Sequence, residues 1–152
     1  MFDLDTLIQI VGAFAGTMGY GALFNVRGKK LLLAALGGMG GWILFLVLNT
    51  FIKNEIICCF IVALVTSTYS EILARALKTP ASTFYIATLM PLIPGSALYY
   101  SIDAAVSKNM AEFIFYITRT VGIAAALSAA IVVVNTVARH LKPIKRKSQI
   151  KE

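Results

Sequence analysis

Residues 31–51, LLLAALGGMGGWILFLVLNTF, form a run of 21 residues without a charged side chain. The hydrocarbon core of a bilayer is about 30 Å thick, so a helix needs about 20 apolar residues to cross it. In lipid only a helix or a closed barrel satisfies the backbone polar groups, and this run is too long and too uniformly apolar for an alternating barrel strand. We therefore predict a transmembrane helix here.

One similar run precedes this stretch and three follow it. The predicted spans are residues 4–24, 31–51, 56–77, 83–102 and 113–137. Together they predict an all-α integral membrane protein, with one five-helix transmembrane domain over residues 1–138 and a basic tail over residues 139–152. The first run is preceded by Asp3 and by no basic residue, which argues against a cleaved signal peptide.

The composition supports this class of protein. Hydrophobic residues make up 59% of the 152 residues and charged residues 14%, whereas soluble domains average roughly 45–50% and about 25%. The formal net charge is +7, but the basic residues lie between and after the apolar runs rather than on one polar face. We therefore expect the lipid bilayer, and no nucleic acid, as a partner.

Few residues have the types or spacing that a metal site or an active site needs. Cys58 and Cys59 are adjacent in an apolar run, and His140 is the single histidine. Neighbouring cysteines rarely form a disulfide, and the spans contain no metal-ligand spacing, HExxH motif or nucleophile–histidine set. We expect no metal, no cofactor and no enzymatic activity.

The basic residues predict the orientation in the membrane. Three lie between the first and second predicted spans, two near residue 78 after the third span, and six in the tail, and all of these segments share one side of the membrane. The segments on the opposite side have only Lys53 and Lys108. Because cytoplasmic loops carry the excess of Lys and Arg, we expect a multi-pass protein of the cytoplasmic membrane with its N-terminus outside and its C-terminus in the cytoplasm. The tail either fixes this orientation or contacts anionic lipid.

Near the middle of the fourth span lies PLIPG, residues 91–95. Pro91 and Pro94 remove two backbone donors and Gly95 adds backbone freedom. These features predict a break, with a second half-helix starting near Ser96 as its N-cap, although an ordinary kink is the alternative. Broken helices of this kind hold substrates and ions in secondary transporters. Tyr99 either lines the resulting cavity or belongs to an aromatic belt.

Glu71 and Arg75 lie near the cytoplasmic end of the third span, four residues apart and therefore on one helical face. One interpretation is a satisfied ion pair whose arginine reaches the headgroups. The other is a proton or substrate-charge site, because intramembrane acids often mark transport pathways. The sequence leaves both open.

Two further polar residues are candidates. Arg119 lies inside the fifth span and either reaches outward, pairs with Asp103 or Glu112 in the outer loop, or attracts an anionic substrate group. Asn25 lies at the end of the first span and is interpreted as a cap or an interhelical link.

Small residues recur at four-residue spacing in three spans. The rows are Gly12 and Gly16, Gly37 and Gly41, and Gly122 with Ala126 and Ala130. Such rows let helices approach closely in lipid. They predict close packing within the bundle, or alternatively a surface on which transporter helices slide.

Three stretches also carry a resemblance. They are GYGALFNV at residues 19–26, SEILAR at residues 70–75 with Lys78 and Pro80, and PLIPG at residues 91–95 followed by Tyr99. Together they resemble the small subunit of the threonine/serine exporter family, over residues 12–138 and including the five-span plan. Arg119 is not part of this resemblance.

The resemblance implies a subunit of a secondary-active exporter of small amino acids or small carboxylates, driven by an ion gradient. It also implies a larger partner subunit of the same family, and an opposite orientation of the two halves would produce an inverted repeat. In this interpretation the half-helix after Gly95 binds the substrate carboxylate and Glu71 carries a coupling proton. Self-association as a homo-oligomer is another source of a complete transporter, and a structural or regulatory subunit without substrate contact is the alternative function.

Overall fold

A computed structural model describes residues 4–140, and these residues form helices without any strand. The elements are α1 Leu4–Leu23, α2 Lys29–Phe51, α3 Glu55–Ala76, α4 Ala81–Thr88, a short 3₁₀ turn Met90–Leu92, α5 Gly95–Val106 and α6 Met110–His140. The part of the predicted basic tail after His140 lies outside the described residues, whereas Arg139 and His140 form the last turn of α6.

Four of these helices, α1, α2, α3 and α6, are long and apolar enough to cross a membrane. The pair formed by α4 and the segment from the 3₁₀ turn through α5 is bent by 43°, and it supplies a fifth crossing if the pair counts as one span. Within the described residues the fold is therefore helical with four to five candidate spans. Helix α6, with 31 residues, extends beyond the predicted bounds of 113–137 at both ends.

Local backbone chemistry explains where the helices begin and end. Asn54 precedes α3, and its side chain accepts hydrogen bonds from the Ile56 and Ile57 amides at 3.1 and 3.3 Å, which is the usual role of asparagine at an N-cap. Asn25 has a left-handed φ of 60° just after α1, a conformation that asparagine tolerates better than most residues. These short connections reverse the chain, so consecutive long helices are antiparallel.

The largest apolar core lies where α3 packs against α6 and α2. Val62 and Ala63 of α3 are fully buried there, together with Ile123 and Ala130 of α6. Many large apolar side chains, by contrast, are exposed on the outside of the bundle, with Leu4 at 74%. An outer surface this apolar fits a lipid environment.

The predicted rows of small residues have different surroundings. A Cβ at Gly41 would lie 2.6 Å from Thr66 of α3, and one at Gly122 would lie 2.6 Å from Ile56, so both glycines permit close helix packing. Gly12 and Gly16 are exposed, and a Cβ on either would have no neighbour within 4 Å. The prediction of packing within the bundle is therefore wrong for α1, because no described helix packs closely against these two glycines.

Candidate functional site

The break between α4 and α5 follows from its two prolines. Pro91 and Pro94 have no N–H group and cannot donate the bond of a continuing α-helix. The chain instead forms a tighter turn, in which the Leu92 amide donates to the Leu89 carbonyl at 3.0 Å. Ile93 is extended, with φ −65° and ψ 129°, because the residue before a proline is pushed out of the helical region.

Helix α5 then starts at Gly95, with Pro94 in the N-cap position and no capping side chain. The prediction of Ser96 as the N-cap is wrong, because the N-cap position lies two residues earlier and Ser96 is already inside the helix. The Gly95 amide donates to Ile93 and the Leu98 amide to Pro94. The amides between them belong to the first turn, where α-helices have no internal acceptors.

A cavity of about 80 Å³ lies against this break. Pro94 and Ser96 line it from the break, Glu55 from α3, Arg119 from α6 and Trp42 from α2. The indole Nε1 of Trp42 is buried and has no hydrogen-bond acceptor among the described residues. The break thus borders a small cavity with two charged side chains.

Arg119 and Glu55 form an ion pair at this cavity, in which Arg119 Nε donates to Glu55 Oε2. The side chains are 41% and 31% exposed respectively, so both are half-buried. The prediction that Arg119 pairs with Asp103 or Glu112 is wrong. The packing of α6 on α3 instead brings Arg119 beside Glu55, the first residue of α3.

A second charged cluster lies at the other end of α3. Arg75 Nε is 3.4 Å from Glu71 Oε1, and the Tyr85 hydroxyl donates to Glu71 Oε2 at 3.3 Å. Arg75 Nη2 also donates to the Ala138 carbonyl of α6 at 2.8 Å. Strong charge-assisted bonds measure about 2.7–2.9 Å, so both contacts to this buried carboxylate are long.

Glu71 and Arg75 also border a cavity of about 280 Å³ between α3 and α6, opposite Val134 and Val137. The two acidic residues of α3, Glu55 and Glu71, are 16 positions apart, which is about 24 Å along the helix. The two charged clusters therefore lie near opposite ends of the bundle.

Buried hydroxyl groups occupy α3 and α4 between these clusters. Ser70 Oγ and Thr88 Oγ1 share a hydrogen bond of 2.9 Å, and Thr66 Oγ1 donates to the Val62 carbonyl at 2.9 Å. Ser67 Oγ is buried without a partner among the described residues. The bundle therefore has a polar interior along α3, in contrast to its apolar outer surface.

The structure brings together some of the predicted site residues and separates others. Pro91, Pro94, Ser96 and Arg119 share the cavity at the break, and Glu71 and Arg75 form the other cluster. The remaining candidates lie elsewhere. Gly95 is exposed at the start of α5, Tyr99 is 66% exposed outside the cavity lining, and Asn25 is exposed after α1.

Sequence reasoning missed Glu55, Trp42 and Tyr85. Glu55 lies one residue before the predicted third span, and its only signal is the preceding Asn54, an N-cap type. Trp42 and Tyr85 lie inside apolar runs, where one sequence does not distinguish a residue that lines a cavity from one that faces lipid. Within residues 4–140, no group of three metal-ligating side chains is close enough to hold a metal.

Interrupted helices that border internal polar cavities are typical of membrane transport proteins. With its four to five candidate spans, the fold defines a multi-pass α-helical membrane protein. A family model described as threonine/serine exporter, ThrE, matches residues 9–137, and the chain belongs to this family. No curated protein and no solved structure matches the chain at a significant level.

Proposed function

We propose that the chain is one subunit of a proton-coupled exporter of threonine and serine, or of small carboxylates, and that it acts with a larger subunit of the same family. The observation that carries this proposal is the charged cavity at the break. Irregular backbone at membrane depth is tolerated where it is buried in protein or faces water. A cavity beside such backbone is where secondary transporters bind their substrates.

The carboxylate that all these substrates share fits the start of α5. First-turn amides and the helix dipole favour a negative group at a helix N-terminus, and Arg119 adds a positive charge at the same cavity. Ser96 and Ala97 belong to that first turn and line the cavity. This arrangement supports carboxylate binding at the break.

Glu71 is the residue that we assign to the coupling proton. The carboxylate is 8% exposed, and charged groups are expensive inside a membrane unless they are paired. Its contacts with Arg75 and Tyr85 are long. Protonation of Glu71 would therefore give up only weak interactions with these two side chains. The nearby cavity between α3 and α6 supplies a route to the end of the bundle.

The exposed glycine face of α1 supports the proposal that a larger subunit binds this chain. Gly12, Gly16 and Gly19 are exposed, and a Cβ on any of them would have no neighbour within 4 Å. Faces of small residues are the usual contact between helices in lipid. With the N-terminus outside, as the basic residues indicate, a partner that starts inside would complete an inverted repeat.

The first experiment measures threonine export. Cells are loaded with a threonine-containing dipeptide, and external threonine is followed with this chain alone, with a larger family subunit alone and with both. We expect export only when both are present. Absence of export with both chains in the membrane, for threonine, serine and succinate alike, contradicts the proposed function.

The second experiment tests Glu71 through the pH dependence of export. In the Glu71→Gln variant we expect the export rate to lose its dependence on the proton gradient, because the amide cannot titrate, while Arg75 and Tyr85 keep a polar partner. The control is Glu112→Gln, which changes an exposed acid in the first turn of α6. A Glu71→Gln variant with unchanged pH dependence removes the coupling role.

The alternative is a structural subunit without substrate contact. The network around Glu71 favours it, since Arg75 and Tyr85 tie α3 to α6 and α4 within the chain itself. In this case, variants of Glu71 and Pro94 would lower the amount of assembled protein without altering substrate preference or pH dependence.

A further inference from the structure

The cavity at the break contains two opposite charges side by side. Glu55 and Arg119 are the charged residues of its lining, and they neutralise each other across the contact between α3 and α6. The first turn of α5 also lines the cavity, through Ser96 and Ala97. Because first-turn amides have no acceptor within their own helix, an additional acceptor in the cavity would be stabilised.

The same ion pair also borders a second, larger space. This groove of about 540 Å³ lies between the start of α3 and α6, and Lys53 and Thr118 line it together with Glu55 and Arg119. Both side chains are half-buried. The pair therefore lines both the cavity at the break and the groove.

We propose that Glu55 and Arg119 bind the zwitterionic backbone of a small α-amino acid in this cavity. The guanidinium of Arg119 and the first-turn amides of α5 bind the α-carboxylate, and the Glu55 carboxylate binds the α-ammonium group. The proposal rests on the proposed export function and selects amino acids over simple carboxylates as its substrates.

Charge balance is the reason for this selectivity. Binding must separate Glu55 from Arg119, and a charge left without a partner in a partly desolvated site is unfavourable. A zwitterion restores a partner to each side chain. A dicarboxylate pairs with Arg119 alone, leaves Glu55 unpaired and adds a second negative charge beside it.

The cavity is too small to enclose the whole ligand. Its volume of about 80 Å³ is about half the roughly 150 Å³ of an engineered cavity that holds benzene. Serine has more non-hydrogen atoms than benzene, so the bound ligand must extend from the cavity into the groove that the same ion pair lines.

The test is ligand binding to the purified full-length chain in lipid nanodiscs, measured by calorimetry. The probes are L-serine, ethanolamine as the ammonium half, and lactate and succinate as carboxylates. We expect saturable binding of L-serine and weaker binding of the others. Glu55→Gln and Arg119→Gln should each weaken L-serine binding by about tenfold or more, because each removes one charged contact.

Matched controls separate this role from a loss of nearby charge. Glu112→Gln and Lys108→Gln remove an acid and a base that are exposed and do not line the cavity, and both should bind L-serine like the unmodified chain. The exchange of both charges, Glu55→Arg with Arg119→Glu, retains an ion pair. Because α5 packs on α6, the exchange brings the ammonium group of the ligand, instead of the carboxylate, to the start of α5. It should preserve thermal stability without restoring binding.

The outcomes distinguish the two proposals. Three results would each overturn the zwitterion site. The first is that the unmodified chain does not bind L-serine, and the second is that Glu55→Gln and Arg119→Gln bind L-serine as well as the unmodified chain does. The third is that the charge exchange restores binding. If threonine export continues at the normal rate in Glu55→Gln and Arg119→Gln cells, the site is wrong and the exporter function stands. If the unmodified chain and its partner export neither threonine, nor serine, nor succinate, the function itself fails.

Discussion

At the scale of single residues, the hydrogen bond between Ser70 and Thr88 joins α3 to α4 next to the break. The two hydroxyl oxygens are 2.9 Å apart, and both residues are fully buried. Thr88→Val keeps the shape of the side chain but removes its hydroxyl. We expect the free energy of unfolding to fall by about 1 kcal/mol, the usual size of such a bond between membrane helices.

The measurement is unfolding in detergent followed by circular dichroism. The control is Thr136→Val, since Thr136 is exposed and bonds only to the Val132 carbonyl of its own helix. The free energy of unfolding of Thr136→Val should differ from that of the unmodified chain by at most about 0.5 kcal/mol. An equal loss in both variants would show that the bond between α3 and α4 adds nothing to stability.

At the scale of helices, Gly38 determines how closely α2 approaches α1. A Cβ at this position would lie 2.9 Å from Thr17 Cγ2 and 3.0 Å from Thr17 Cβ, and Thr17 is fully buried. Thr17 has no room to move away, so α1 and α2 must separate. We expect Gly38→Ala to lower the free energy of unfolding by about 1–3 kcal/mol, as in other overpacked cores.

Gly40 on the same helix provides the matched comparison. It is exposed, and a Cβ there would have no neighbour within 4 Å. Because alanine has a higher helix propensity than glycine by about 1 kcal/mol, Gly40→Ala should be neutral or stabilising in the same unfolding experiment. If Gly38→Ala is as well tolerated as Gly40→Ala, α1 and α2 do not depend on close packing at this site.

At the scale of the whole molecule, the exposed glycine face of α1 predicts where a partner subunit binds. Gly16→Leu adds a large side chain to this face, at an exposed position where a Cβ would have no neighbour within 4 Å. We expect the chain itself to remain folded, while co-purification with the larger subunit and threonine export both decrease, because a bulky residue keeps partner helices apart.

The control for this prediction is Met18→Phe. Met18 is also exposed on α1, but it lies about 160° around the helix from Gly16 and about 100° from Gly19. Copy number in the membrane and co-purification are measured for both variants. Normal co-purification of Gly16→Leu would exclude this face as the contact with the partner.

Hydropathy and local chemistry make a large part of this fold predictable. A run of about 20 apolar residues has few alternatives to a membrane helix, and two prolines within four positions interrupt any helix. The contact between Glu71 and Arg75 was equally predictable from the sequence, since residues four apart on a helix are neighbours. These features depend on neighbouring residues and on the solvent rather than on tertiary contacts.

The arrangement of the helices could not be predicted from hydropathy and local chemistry. A membrane helix is apolar on the side that faces lipid as well as on the side that faces other helices, so its pattern does not show which face is buried. The glycines of α1 and α2 illustrate this limit, because similar rows face outward in one helix and inward in the other.

The sequence by itself determined the class of protein, the approximate positions of its helices, the break at Pro91 and Pro94, and the exporter family. Only the tertiary structure decided that Arg119 pairs with Glu55, 64 residues away, that both charges border the break, and that Tyr85 bonds to Glu71. The physical reason is that helix formation in lipid follows from local composition. The contacts of a charged side chain, by contrast, depend on which helices become neighbours.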